Sequence, residues 1–148
     1  MQVKHQSPST KRLSFKCLLS LGLGVTVALG SSVPIHAAEV PSISHAELTK
    51  AMKAKKVVLL DVNGTESYKE GHIPGALNFE AVQGNLKNKL PANKKALIVA
   101  YCGNPLCGAY KRGAEAAKKL GYTNVKHYSP GIMGWKKSGA PVAKVAKS

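Results

Sequence analysis

Ala96-Leu97-Ile98-Val99-Ala100-Tyr101-Cys102-Gly103-Asn104-Pro105-Leu106-Cys107-Gly108 is the stretch that decides the fold. Residues 96–101 are an unbroken apolar run, the pattern of a strand buried on both faces of a parallel sheet. Cys102 follows at once and opens a loop. Residues 109–121 then read as a helix, with Lys118 and Lys119 in its last turn and Gly121 as its stop. A cysteine at a strand-to-helix turn has its sulfur near free backbone N–H groups and the positive end of a helix dipole. That setting lowers a thiol pKa, and the thiolate is the reactive form. The segment therefore predicts a nucleophilic or sulfur-carrying cysteine on an α/β framework.

The flanks extend the pattern. Upstream, Ser44 and Glu47 have the spacing of a capping box, with Leu48, Ala51 and Met52 giving the following turns an apolar face. Residues 57–60 form a second buried strand closed by Asp61. Residues 65–70 read as a short helix stopped by Gly71, and residues 71–75 as a turn into the strand 76–78. Residues 83–95 are basic and read as a surface connector. Downstream, residues 124–128 form one more strand, and residues 131–137 a last helix around Trp135, halted by Gly139 and Pro141. Strands alternating with helices predict a central parallel sheet flanked by helices on both faces. In such folds chemistry gathers at the carboxyl ends of the strands, where Cys102 lies.

The N-terminus has a different character. Lys4, Lys11, Arg12 and Lys16 precede the apolar run 18–30, and Ile35-His36-Ala37 ends the stretch. This is the layout of a cleavable signal peptide over residues 1–37, with cleavage after Ala37. The apolar run is too short and too Gly-interrupted for a permanent span of roughly 20 residues. The expectation is a periplasmic or secreted protein with no stable membrane anchor after cleavage. Residues 38–148 then form one domain, with its core over 42–142.

Of 22 Lys and Arg in the full chain, 18 remain after residue 37, against 7 Asp and Glu, a formal charge of +11. All but Arg112 are Lys, dispersed rather than interleaved with aromatics, so a solvated cationic surface is expected and not a nucleic-acid site. Such a field concentrates small anions. Only Cys102 and Cys107 survive cleavage. No second Cys or Cys–His pair accompanies them, so no structural zinc site, and no other metal or cofactor, is expected.

Three segments in order resemble the rhodanese-like family. Asp61-Val62-Asn63-Gly64-Thr65-Glu66-Ser67-Tyr68-Lys69-Glu70-Gly71-His72-Ile73-Pro74-Gly75-Ala76-Leu77-Asn78 is similar to its first signature. Tyr101-Cys102 and its loop sit where the family's active-site cysteine sits. Pro130-Gly131-Ile132-Met133-Gly134-Trp135, with Gly139-Ala140-Pro141-Val142, resembles the C-terminal signature. The resemblance covers about residues 42–142. It implies a small α/β domain whose cysteine takes a sulfane sulfur, holds it as a persulfide, and passes it to a thiol or another nucleophile. Its partners would be small sulfur-containing anions or thiols, with a redox protein as a further candidate.

On that reading Cys102 is the nucleophile. Gly103, Asn104, Leu106, Cys107 and Gly108 form the loop whose amides cradle an anionic substrate or persulfide. The departures are specific. Asn63 stands where family members often carry Arg. Cys107 and Gly108 stand where active thiosulfate sulfurtransferases usually have a cation followed by Ser or Thr. Pro105 removes one N–H donor, and Arg112 lies a turn further on. Thiosulfate is therefore expected to be a poor donor. The loop also lacks the Cys-x5-Arg of related phosphatases.

The remaining residues read structurally: Asp61 as a strand-end anchor, His72 as a turn residue, Trp135 as a core aromatic. Cys107 admits three readings, as a redox partner of Cys102, half of a static disulfide, or an uninvolved thiol. The competing functions are a thiol–disulfide or oxyanion-reducing protein using both cysteines, and a non-catalytic module holding a soft metal such as Cu(I) or a partner protein.

Overall fold

The computed structural model describes residues 39–146, so the signal-peptide reading of residues 1–37 lies outside the described residues. Helix α1, His45–Lys53, begins with the capping box foreseen: the Ser44 hydroxyl accepts from the Glu47 amide, and the Glu47 carboxylate accepts from the Ser44 amide. Strand β1, Val57–Asp61, leads to helix α2, Thr65–Glu70. The two-residue strand β2, Leu77–Asn78, runs into helix α3, Phe79–Val82, and a 3₁₀ stretch, Gln83–Asn88. Strand β3, Leu97–Tyr101, precedes the cysteine loop and helix α4, Tyr110–Lys119. Strand β4, Val125–His127, and helix α5, Gly131–Lys137, complete the order.

The four strands pair in parallel in the order β2-β1-β3-β4. The long register between β1 and β3 sets Asp61 opposite Tyr101, so both central strands end at one level. Because strand side chains alternate faces, the apolar runs supply two cores. One holds Leu60, Val62, Ile98 and Ala100 against Phe79, Leu86, Ala114 and Ala117 of α3, the 3₁₀ stretch and α4. The other holds Leu59, Val99 and Tyr101 against Leu48 of α1 and Trp135 of α5. Both faces of the sheet are covered, the arrangement a fully parallel sheet requires.

The sequence reading fell short over residues 83–95. They are not a plain surface connector: the 3₁₀ stretch continues from α3 over one sheet face, and Leu86 and Leu90 are buried. Single apolar residues among lysines and asparagines gave too little periodicity to announce this. Among the described residues, no helix is long and apolar enough to cross a membrane.

Candidate active site

The carboxyl ends of β1, β3 and β4 meet at one edge of the sheet, and the loop after β3 lies between the other two. Cys102 is the first residue past β3 and is 3% exposed. The loop backbone is held where it leaves the strand. The Cys102 carbonyl accepts from the Ile132 amide at 2.9 Å, and the Gly103 carbonyl accepts from the Met133 amide at 3.0 Å. Helix α5 thus spends two of its otherwise unpaired first-turn donors on the cysteine loop. The approach requires glycine at its closest point. Gly131 has φ +60, and a Cβ there would stand 2.4 Å from the Cys102 carbonyl oxygen and 2.6 Å from the Gly103 carbonyl carbon. The sequence reading placed Gly131 only inside a signature. Its structural task was not legible, because it depends on a loop 28 residues away.

Beyond Gly103 the loop turns back on itself. The Asn104 carbonyl accepts from the Cys107 amide at 3.1 Å, closing a four-residue turn with Pro105 at its second position. The Asn104 side-chain oxygen accepts from the Leu106 amide at 2.9 Å, an Asx turn on the same four residues. The curl brings Cys107 over Cys102. Their sulfurs are joined in a disulfide, with Cα atoms 6.3 Å apart, inside the ordinary range for such a bridge. The Cys102 Sγ also lies 3.0 Å from the Cys107 carbonyl oxygen. Cys107 is half-buried, and Leu106 at the loop tip is 96% exposed.

This geometry modifies the expected amide cradle. Pro105 has no N–H, and the Leu106 and Cys107 amides are committed inside the turn, leaving those of Gly103, Asn104 and Gly108 without a partner among the described residues. The two amides nearest the loop tip hold Cys107 in place.

Asp61, His72 and Trp135 each bond to partners outside the loop. Asp61 is 1% exposed; its carboxylate accepts from the Tyr101 hydroxyl at 2.6 Å, the Asn63 amide at 2.9 Å and the Asn63 side-chain amide at 2.8 Å. The Tyr101 hydroxyl in turn accepts from the Ile73 amide at 3.0 Å. Burial, then the charge and hydrogen bond of Asp61, push the Tyr101 pKa well above the ordinary tyrosine value. Asn63, held by Asp61, sits beside Gly103. His72 donates from Nδ1 to the Tyr68 carbonyl at 2.7 Å and stacks on the Tyr68 ring. Trp135 is buried, and its indole N–H donates to the Pro141 carbonyl.

Two hollows flank the loop. One, of about 400 Å³, is lined by Asn104, Pro105, Pro130, Met133, Gly134 and Lys137; Met133, on its wall, is 60% exposed. The other, of about 520 Å³, lies along Asn63, Gly64, Thr65, Glu66, Ser67 and Glu80. There the Thr65 hydroxyl and amide hold Glu80 below the usual carboxylate range, with a smaller contribution from Arg112. No three His, Cys, Asp or Glu side chains among the described residues come together to hold a metal ion.

The Rhodanese-like domain family matches residues 44–138. The chain belongs to the rhodanese-like family. Over 102 residues it is 33% identical to the HTH-type transcriptional regulator Rv0324 of Mycobacterium tuberculosis, covering 68% of this chain and 44% of that protein. The rhodanese-like chain thus spans less than half the length of that relative. Over 108 residues it is 29% identical to the human thiosulfate:glutathione sulfurtransferase, covering 64% of this chain and 92% of that enzyme. Its fold is similar to that of the BH2092 protein from Bacillus halodurans, with a TM-score of 0.56, 26% identity, and coverage of 70% and 77% of the two chains.

Proposed function

We propose that this rhodanese-like protein is an exported sulfurtransferase in which Cys102 accepts a sulfane sulfur and passes it to a thiol or similar nucleophile. The observation that carries the reading is the position of Cys102, buried at the carboxyl end of a central strand with its backbone fixed by α5. A nucleophile held this way meets its donor in a defined orientation. The sulfurtransferase named among the relatives supports the same chemistry. In the first step the Cys102 thiolate attacks the outer sulfur of a donor, and the donor's S–S bond breaks. The new persulfide sulfur is then taken by an acceptor thiolate. The unpartnered amides of Gly103, Asn104 and Gly108 are the donors available to the anionic sulfur.

The test begins with reduced protein and follows transfer from a sulfane donor to cyanide or glutathione. Transfer is expected with the natural sequence and lost in Cys102→Ser. Full transfer in Cys102→Ser overturns the assignment. Thiosulfate is a weak donor on this reading, since Cys107 occupies the place of a loop cation and Pro105 removes one amide from the cradle. Cys107→Arg should raise the rate with thiosulfate more than with a neutral sulfane donor, because a charge-assisted contact contributes about 1.5–3 kcal/mol. Equal gains on both donors would show that the missing cation is not the cause.

Export is part of the proposal. Residues 1–37 have the basic, apolar and small-residue segments of a signal peptide. Protein from the cell envelope or medium should begin at Ala38, and material beginning at Met1 would refute it.

A further inference from the structure

We propose that the cysteine loop carries a second activity, the two-electron reduction of sulfane sulfur to sulfide, with Cys107 resolving the persulfide formed on Cys102. The proposal rests on the reading of Cys102 as the sulfur acceptor, and it changes what becomes of the sulfur.

Three features converge on it. Cys107 reaches Cys102, for the two are bridged with Cα atoms 6.3 Å apart. The reach is built into the loop by elements other than the bridge: the Asn104–Cys107 turn and the Asx bond from Asn104 to the Leu106 amide. Asn followed by Pro is the composition that favours such a turn. The amides used there are ones a pure anion cradle would have kept free, so the loop gives up anion binding to position a second thiol. Finally, the two sulfurs are unequal. Cys102 is buried and its backbone is tied to α5, whereas Cys107 is half-buried on the segment leading to the exposed tip. An external thiol therefore meets Cys107 first.

The sequence of bonds is as follows. The Cys102 thiolate attacks the outer sulfur of thiosulfate, and the S–S bond breaks with its electron pair leaving on sulfite. The Cys107 thiolate then attacks Cys102 Sγ. The bond from Sγ to the added sulfur breaks, and that sulfur departs with the electron pair and takes one proton from water to become HS⁻. The two cysteine sulfurs are each oxidised by one electron, and the sulfane sulfur gains both. A dithiol reductant restores the site. Its thiolate attacks Cys107 Sγ, Cys102 leaves as the thiolate, and the reductant's second thiol displaces Cys107 and closes the reductant's own disulfide. Attack at Cys107 regenerates the nucleophile directly.

The experiment is a single turnover of reduced protein with saturating thiosulfate, without oxygen and with all free thiol removed, because a free thiol would itself release sulfide from a persulfide. Sulfide is measured alongside the intact mass. The natural sequence should release one equivalent of sulfide and end as the disulfide. Cys107→Ser should end as a stable persulfide, heavier by one sulfur atom, with the sulfide lost. Cys102→Ser should do neither. If the natural protein stops at the persulfide without sulfide, as Cys107→Ser does, the second activity is overturned and Cys102 stands as a carrier. If neither the natural protein nor Cys107→Ser takes up sulfur from thiosulfate or, in a parallel run, from polysulfide, the reading of Cys102 itself fails.

Discussion

Two strand ends lie side by side at the same edge of the sheet and are secured in opposite ways. At the end of β1, the Asp61 carboxylate is tied to Tyr101, 40 residues away, and Tyr101 reaches on to Ile73. At the end of β3, the distal half of the cysteine loop is held by bonds between residues two and three apart, and by a bridge between residues five apart. Bonds between distant segments form only when the whole domain is folded, while local bonds can open and close on their own. The β1 end is therefore a fixed wall, and the distal half of the β3 loop is a part that can move within it. Cys102 sits at the boundary, fixed by α5, with the movable Cys107 above it. A nucleophile that must stay in place and a resolving thiol that must come and go call for this division.

The strongest way to break the comparison is to release the fixed half of the loop. Gly131→Ala puts a methyl group into the Cys102 and Gly103 backbone at a positive φ. Left-handed backbone costs a non-glycine residue about 1–2 kcal/mol, and overpacking adds about 1–3. A loss near 3–4 kcal/mol in urea unfolding is expected, together with slower sulfur uptake by Cys102. Unchanged stability would mean that α5 does not hold the loop.

The wall can be tested at Tyr101. Tyr101→Phe leaves an Asp61 oxygen and the Ile73 amide buried and unpaired, which should cost about 2–3 kcal/mol. It should also change the alkaline limb of stability. The Tyr101 pKa is raised in the folded protein, first by burial and then by Asp61. Above the ordinary tyrosine value of about 10 the unfolded chain has released a proton that the folded one keeps. Stability therefore falls as pH rises past that value. Burial raises Tyr68 and Tyr128 in the same direction. The variant should lose less stability than the natural protein between neutral and strongly alkaline pH, and an equal or steeper loss would rule out the Tyr101–Asp61 pair as the source.

The same division explains what the sequence could disclose. Strands β1 and β3 were legible because a strand buried on both faces must be apolar at every position, and 57–60 and 96–101 are. The α1 cap was legible because it is written within four residues. The place of Cys102 directly after a strand was legible from the apolar run before it, whereas the Asn104–Cys107 turn was not announced. Asp61 was foreseen as an anchor, but its Tyr101 partner was not, since alternation left that ring equally suited to core or pocket. The helical cover over residues 79–88 and the task of Gly131 depend on contacts between distant segments, which no local pattern encodes.

The smallest effect sharpens the comparison most. Asn104→Ala removes the side-chain bond to the Leu106 amide and leaves the backbone turn to Cys107 intact. That bond lies at an exposed tip, so the fold as a whole should not register it: in the reduced protein the urea midpoint should stay within about 0.5 kcal/mol of the natural one. The reach of Cys107 should register it. A hydrogen bond of this kind contributes about 0.5–1.5 kcal/mol net, and here it favours the curled loop over open forms. Its loss should move the Cys102–Cys107 equilibrium toward the dithiol by roughly two- to tenfold against a dithiol redox buffer. A local bond can shift the local equilibrium without the global one only if the two are separable, which is the claim made for the β3 loop. If the redox balance and the unfolding midpoint moved together, the loop would be coupled to the wall, and Cys107 would be a packed residue rather than a resolving thiol.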